Sequence, residues 1–178
     1  MKDGFVKAAA ATPEIRVADA DYNARQICRM IDETEKEGAG IVVFPELCMT
    51  GYTCGDLFTQ EVLLKDAMRG LCKVADHTKD KNGLYFVGVQ LAVEGKLYNT
   101  AAALNRGEIL GFTTKSFLPN YGEFYEMRQF CKGPDTARMI RFDGREIPFG
   151  PQLLFAAEEM EELIISAEIC EDVWCPVP

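Results

Sequence analysis

The chain has 178 residues, 48% of them hydrophobic, enough apolar material for one well-buried domain rather than two. A formal charge of −9 without any cluster of Lys or Arg argues against a nucleic-acid partner, because phosphate binding needs a basic patch. No apolar run approaches the roughly 20 residues of a membrane helix, and Met1–Lys7 lacks the apolar core of a secretion signal, so no membrane partner is expected.

The seven cysteines are odd in number and lie mostly inside apolar segments, a pattern of reduced thiols in a cytoplasmic protein rather than of a disulfide framework. The pairs Cys48/Cys54 and Cys170/Cys175 are too widely spaced for a zinc knuckle, and one histidine cannot complete it, so no metal site is expected.

In chain order, Phe5–Ala11 reads as a short strand closed by Thr12-Pro13. Asp19 or Asp21 caps a helix running to about Lys36, with Ala24, Ile27, Cys28 and Ile31 at helical spacing and Gly38 as its stop. Ile41-Val42-Val43-Phe44 is a buried strand ended by Pro45-Glu46, and this β-α-β opening favours parallel neighbours. Glu46 sits where open α/β sheets place ligands, although most glutamates are solvated loop acids. A second helix spans about Gln60–Ala75, with Leu64, Ala67, Met68, Leu71 and Cys72 on one face. His77 lies at its end, better placed for the helix dipole than for chemistry.

Leu84–Gln90, Lys96–Leu104 and Ile109–Phe117, punctuated by Glu94-Gly95 and Arg106-Gly107, predict an antiparallel meander and therefore a mixed sheet. Lys115 falls near the end of its last strand, where the ordinary reading is a surface lysine. The aromatic and charged segment Leu118–Phe130 either lines a pocket for a small polar molecule or packs over the sheet edge. Arg138–Phe142 predicts a further strand and Pro148–Pro151 a turn. The apolar run within Glu162–Ile169 predicts a buried strand that delivers Cys170 at its end, where the thiol either faces a cleft or is an inert core group.

Glu46, Lys115 and Cys170 thus stand at strand ends. A thiol near pKa 8.5 is only a few per cent ionised at pH 7, so as a nucleophile it needs a base, and attack on an amide needs positive charge or N–H donors at the developing oxyanion. A carboxylate, an ammonium and a thiol meet those needs without a histidine.

The same residues carry a resemblance. Phe44-Pro45-Glu46-Leu47 with Thr50-Gly51-Tyr52, then Lys115, then Cys170-Glu171-Asp172, resembles the Glu-Lys-Cys signature of the nitrilase (carbon–nitrogen hydrolase) superfamily. Lys115–Arg128 and Glu168–Trp174 resemble more narrowly the N-terminal glutaminase domain of glutamine-dependent NAD synthetases. The resemblance implies a layered α-β-β-α sandwich whose mixed sheet carries helices on one face. It makes Cys170 the nucleophile, Glu46 the proton acceptor and Lys115 the oxyanion stabiliser, with the Glu171 N–H as second donor. Tyr121 falls where the family contacts glutamine, Glu126 matches a supporting glutamate, and Tyr52 and Phe124 are further pocket candidates.

L-glutamine is then the substrate, and its ammonia passes to a synthetase domain that needs ATP and magnesium. Residues 1–178 need no cofactor themselves. They would be the N-terminal portion of the glutaminase domain, with the rest of that sandwich and the synthetase domain beyond Pro178. An incomplete sheet leaves edges and an apolar face that favour a homo-oligomer. The alternatives are a free-standing amidase or carbamoylase of the same superfamily, or a non-catalytic module.

Overall fold

The β-α-β opening read from the sequence is present in the computed structural model, which describes residues 4–176. Strand β1 (Ala8–Ala10) leads to helix α1 (Ala20–Lys36) and strand β2 (Ile41–Val43), and a loop with a 3-10 segment at Tyr52–Thr59 precedes helix α2 (Glu61–His77). Asp19 caps α1 by accepting the Tyr22 N–H at 3.0 Å, a contact worth about 1 kcal/mol. Gly38, at φ +76°, turns the chain out of that helix where a side chain would be strained.

Strands β3 (Leu84–Val93), β4 (Lys96–Asn105) and β5 (Glu108–Thr114) make the antiparallel meander, and β6 (Arg138–Phe142) with β7 (Arg145–Gly150) adds a hairpin. All seven strands form one mixed sheet in the order β1-β2-β3-β4-β5-β7-β6, parallel at β1–β2, β2–β3 and β5–β7.

Alternation along the strands assigns the faces. Val42, Tyr85, Val87, Val89, Leu91, Ala102 and Leu104 pack in one continuous core with Ala24, Ile27 and Ile31 of α1 and Ala67, Leu71 and Val74 of α2. Both helices therefore cover the same face. Along α2 the buried stripe includes Leu63, Gly70 and Val74, while Leu64, Met68 and Cys72 are only half-buried, so the helix is rotated from the face its spacing suggested. The other face carries Phe86, Gly88, Gln90, Asn99, Ala101, Gly111 and Thr113. A second, two-stranded sheet, β8 (Phe155–Ala157) with β9 (Met160–Ile165), leans on it, and Phe155 meets Phe86 edge-on at 5.6 Å. Helices, main sheet and hairpin make the layers. No helix among the described residues is long and apolar enough to cross a membrane.

Several sequence expectations change. The apolar run before Cys170 is not a buried strand that ends at the cysteine: β9 stops at Ile165, which already pairs with Phe155, the first residue of its three-residue partner. Ser166–Ile169 continue unpaired, and Cys170 opens a 3-10 turn, Cys170–Trp174. Pro148 is not in a turn but in β7, whose pairing with β5 begins only at Phe149, just past the residue that lacks an N–H. The third meander strand ends at Thr114 rather than Phe117, because the N–H groups of Ser116 and Phe117 go to the Asp172 carboxylate instead of the ladder. The first strand is confined to Ala8–Ala10.

Candidate active site

Strands β2, β3 and β5 run in the same direction, so the chain after β2 and after β5 emerges at one edge of the sheet. After β2 the chain makes a tight turn in which the Cys48 N–H donates to Pro45 O at 3.2 Å. Leu47, fully buried, sits in this turn at φ +51°, a left-handed conformation that costs a side-chain-bearing residue about 1–2 kcal/mol. It is held there because Leu47 O accepts the N–H groups of Thr50 and Gly51 at 3.1 and 2.7 Å, and the Met49 N–H donates to Gly88 O at 3.1 Å. Glu46 is therefore presented by an over-determined backbone, as functional strain usually is.

The turn lies against β3 at Gly88. A Cβ on that glycine would stand 2.4 Å from both Leu47 N and Pro45 O, backbone atoms with nowhere to retreat. Gly88→Ala is expected to cost about 1–3 kcal/mol by overpacking, read as a lower urea midpoint with unchanged slope. A wild-type midpoint would mean that the Glu46 turn is not seated on the strand.

Lys115 follows β5 directly. Its N–H donates to Asn99 O at 3.0 Å and its carbonyl accepts the Gly133 N–H at 2.9 Å, so the aromatic loop closes on the residue that opened it. The Lys115 side chain is fully buried, and Nζ donates to Glu46 Oε1 and to Glu126 Oε1, each at 2.7 Å. This is not a surface lysine. Asn99 Nδ2 donates to the same Glu46 oxygen, and the Tyr52 hydroxyl donates to the same Glu126 oxygen at 2.7 Å. Burial works against the charged Lys115, but the hydrogen bonds to Glu126 and Glu46 outweigh it and hold the ammonium above the usual lysine range. The second oxygen of Glu126 is buried and accepts no hydrogen bond among the described residues.

Cys170 is exposed and, like Leu47, left-handed, at φ +51°. Burial of part of its side chain raises the thiol above the ordinary range. The Glu46 carboxylate raises it further, by its charge and by a hydrogen bond, Lys115 pulls it down, and Glu126 raises it by its charge alone. Glu46, Lys115 and Cys170 thus share one site, with Glu126 as a fourth member. Beside it, Phe124 stacks edge-on against Tyr52 at 6.5 Å and against Tyr121 at 5.8 Å, and the Tyr121 hydroxyl donates to Glu171 Oε2 at 2.9 Å. The result is a wall of side chains from Glu126 round to the residue after the cysteine. Tyr121 stands at its exposed rim, and Tyr125 and Met127 of the same loop face solvent. His77 closes α2, bonded to Asp32 at 2.8 Å. A cleft of about 770 Å³ under the β8–β9 hairpin, near Ile41, Leu84 and Phe155, is lined by none of the candidate residues.

Sequence reasoning missed Asn99 and Asp172. Asn99-Thr100 interrupts an otherwise apolar strand centre, and Gln90 faces Asn99 in the β3–β4 register with its own oxygen bonded to Thr50, so polar residues inside two apolar strands were the available signal. Asp172 offered none beyond adjacency to the cysteine.

Residues 7–177 match the profile of a family described as carbon-nitrogen hydrolase. Over 175 residues, 98% of this chain, the sequence is 37% identical to the glutamine-dependent NAD(+) synthetase of Mycobacterium leprae, of which it spans 26%. It is 35% identical to that of Aquifex aeolicus, covering 90% of this chain and 24% of that protein. The crystal structure of a glutamine-dependent NAD(+) synthetase from Cytophaga hutchinsonii superposes with a TM-score of 0.86 at 27% identity, over 94% of this chain and 28% of that one. The chain therefore spans about a quarter of the length of these relatives.

Proposed function

The chain belongs to the carbon–nitrogen hydrolase family, and from that premise we propose that it is the glutamine-hydrolysing portion of a glutamine-dependent NAD(+) synthetase. The observation that carries the reading is the buried Lys115 ammonium bonded at once to Glu46 and Glu126, beside a thiol that both carboxylates influence.

Because Cys170 is held above the ordinary thiol range, it rests protonated at neutral pH, and its proton has to leave as the sulfur attacks. Lys115 is already an ammonium and cannot accept that proton, though one of its three N–H groups is left over from its bonds to Glu46 and Glu126, whereas Glu46 has Oε1 tied to Lys115 and Asn99 and its other oxygen available. In the proposed cycle, Cys170 Sγ bonds to the side-chain amide carbon of L-glutamine while Glu46 takes the thiol proton. The oxyanion meets Lys115 and the Glu171 N–H. Collapse breaks the C–N bond, Glu46 returns the proton to the departing nitrogen, and ammonia leaves a glutamyl thioester. Water, deprotonated by Glu46, then attacks the thioester and releases glutamate and the free thiol. Glu126 fixes the other side of Lys115 through a bond shared with Tyr52, and Phe124, Tyr121 and Glu171 bound the substrate.

ATP and magnesium belong to a synthetase region beyond this chain, which would amidate nicotinic acid adenine dinucleotide with the ammonia. Among the described residues no group of three His, Cys, Asp or Glu side chains is placed to hold a metal, and the steps above use only the chain's own groups. A cytoplasmic homo-oligomer fits the reduced cysteines and the exposed Val43 and Ile164. The test is a glutamine analogue with an electrophilic carbon in place of the amide: it is expected to label Cys170 alone, with glutamine protecting. Label on another cysteine, or no protection, overturns the proposal.

A further inference from the structure

Asp172 is 3% exposed, yet it forms no ion pair among the described residues. Its carboxylate is instead filled with backbone donors. Oδ1 accepts the N–H groups of Phe117 at 2.8 Å and Ser116 at 3.0 Å, and Oδ2 accepts those of Ser116 at 3.3 Å and Ile169 at 3.4 Å. Ser116 and Phe117 follow Lys115 immediately, and Ile169 precedes Cys170 immediately. The Asp172 N–H also donates to Ile169 O at 3.2 Å, so one residue brackets the cysteine through both side chain and backbone.

Two features call for such a bracket. Cys170 is left-handed at φ +51°, a conformation that a non-glycine residue keeps only when its surroundings enforce it. The segment before it, Ser166–Ile169, has no strand partner that would fix its course. An ionised acceptor with several N–H donors is about the strongest local restraint the backbone can use.

We infer that Asp172 is a positioning residue: its carboxylate ties the chain leaving Lys115 to the chain entering Cys170, and so sets where the sulfur stands relative to Lys115 and Glu46. The inference goes beyond the proposed catalytic groups but rests on Cys170 being the nucleophile beside Glu46. Asp172 touches no reacting atom; it acts through the two residues it joins.

The test measures coupling between Glu46 and the thiol. In the intact chain, the rate of Cys170 alkylation by iodoacetamide is followed against pH, with each modified cysteine identified by mass spectrometry. Removing the Glu46 charge in Glu46→Gln is expected to move the Cys170 profile to lower pH by about one unit, because a nearby carboxylate disfavours the thiolate. In Asp172→Ala that displacement is expected to vanish, since the sulfur is no longer held against Glu46. Asp172→Asn keeps an oxygen for Ser116 and Phe117 but turns an amide N–H₂ toward Ile169, so it is expected to fall between the two. A merely stabilising role would lower the melting temperature and leave the displacement intact.

A folded Asp172→Ala chain that shows the full displacement overturns the inference. If Asp172→Ala does not fold, Asp172→Asn decides: a reduced displacement supports the clamp, and a full one overturns it. If Glu46→Gln leaves the profile unmoved in the otherwise unaltered chain, the reading of the site itself fails, whatever Asp172 does.

Discussion

On the proposed reading, Cys170→Ala is expected to abolish glutamine-dependent NAD synthesis by a synthetase that carries this chain, while leaving synthesis from added ammonium largely intact. On that reading only one of the two nitrogen sources passes through the thiol. With glutamine, losing the nucleophile removes the covalent route altogether, and in other covalent hydrolases that costs on the order of 10⁶ in kcat. With ammonium, the substitution is at an exposed position that buries little and leaves Glu46, Lys115 and Glu126 in their mutual bonds. Assaying both nitrogen donors on the same preparation therefore separates loss of chemistry from loss of fold. Cys175 is the control: burial raises its thiol too, with Glu171 and Asp172 adding to the effect, but neither Glu46 nor Lys115 is among its neighbours. Glutamine-dependent activity surviving in Cys170→Ala, or lost in Cys175→Ala, would move the nucleophile elsewhere.

What the sequence made legible was local. Asp19 and Gly38 bound the first helix because a cap and a left-handed stop are chemistry of single residues; Gly38 is used as read, and of the two cap candidates Asp19 and Asp21 the structure uses Asp19. The strand that leads into the Glu46 turn was legible because a β-branched run meets a proline, although it stops at Val43, whose side chain is exposed rather than buried. The burial of Lys115 was not, since nothing near it in sequence predicts that a lysine loses all exposure. That follows from carboxylates at residues 46 and 126 arriving from two other parts of the chain. The approach to Cys170 was misread for a related reason. Ile164 and Ile165 look like core residues, but a strand extends only as far as its partner, and β8 offers three residues. What then fixes the cysteine is Asp172, whose hydrogen bonds reach back to residues 116 and 117, a long-range pairing that no window of sequence displays.

Lys115→Met is expected to remove the oxyanion charge and to make stability fall with rising pH. The loss of a single preorganised donor costs a factor of about 10²–10³ in turnover, and glutamine-dependent activity reads it directly. The stability effect follows from the charge left behind. One ammonium now serves two carboxylates, its Nζ 2.7 Å from each, with Glu126 only 4% exposed. Methionine keeps the length of the side chain and takes away the cation, and removing one partner of a buried ion pair costs about 3–5 kcal/mol. In the variant the Glu126 carboxylate keeps only the Tyr52 hydroxyl, and burial without a cation penalises the charged form of a carboxyl. A carboxyl whose folded value lies above its unfolded value near 4.3 contributes no penalty below that pH, where both states are protonated, and destabilises progressively above it. In the wild type the Lys115 value is raised, so its contribution persists at every pH below the ordinary lysine value and is lost only as pH rises through the folded one. The stability gap between Lys115→Met and wild type, measured by urea unfolding, is therefore expected to widen between pH 4 and pH 8. Adding Glu126→Gln should narrow it again at pH 8 without restoring turnover. A gap of equal size at both ends of that range would mean that Lys115 contributes packing rather than charge, and would take the oxyanion role away from it.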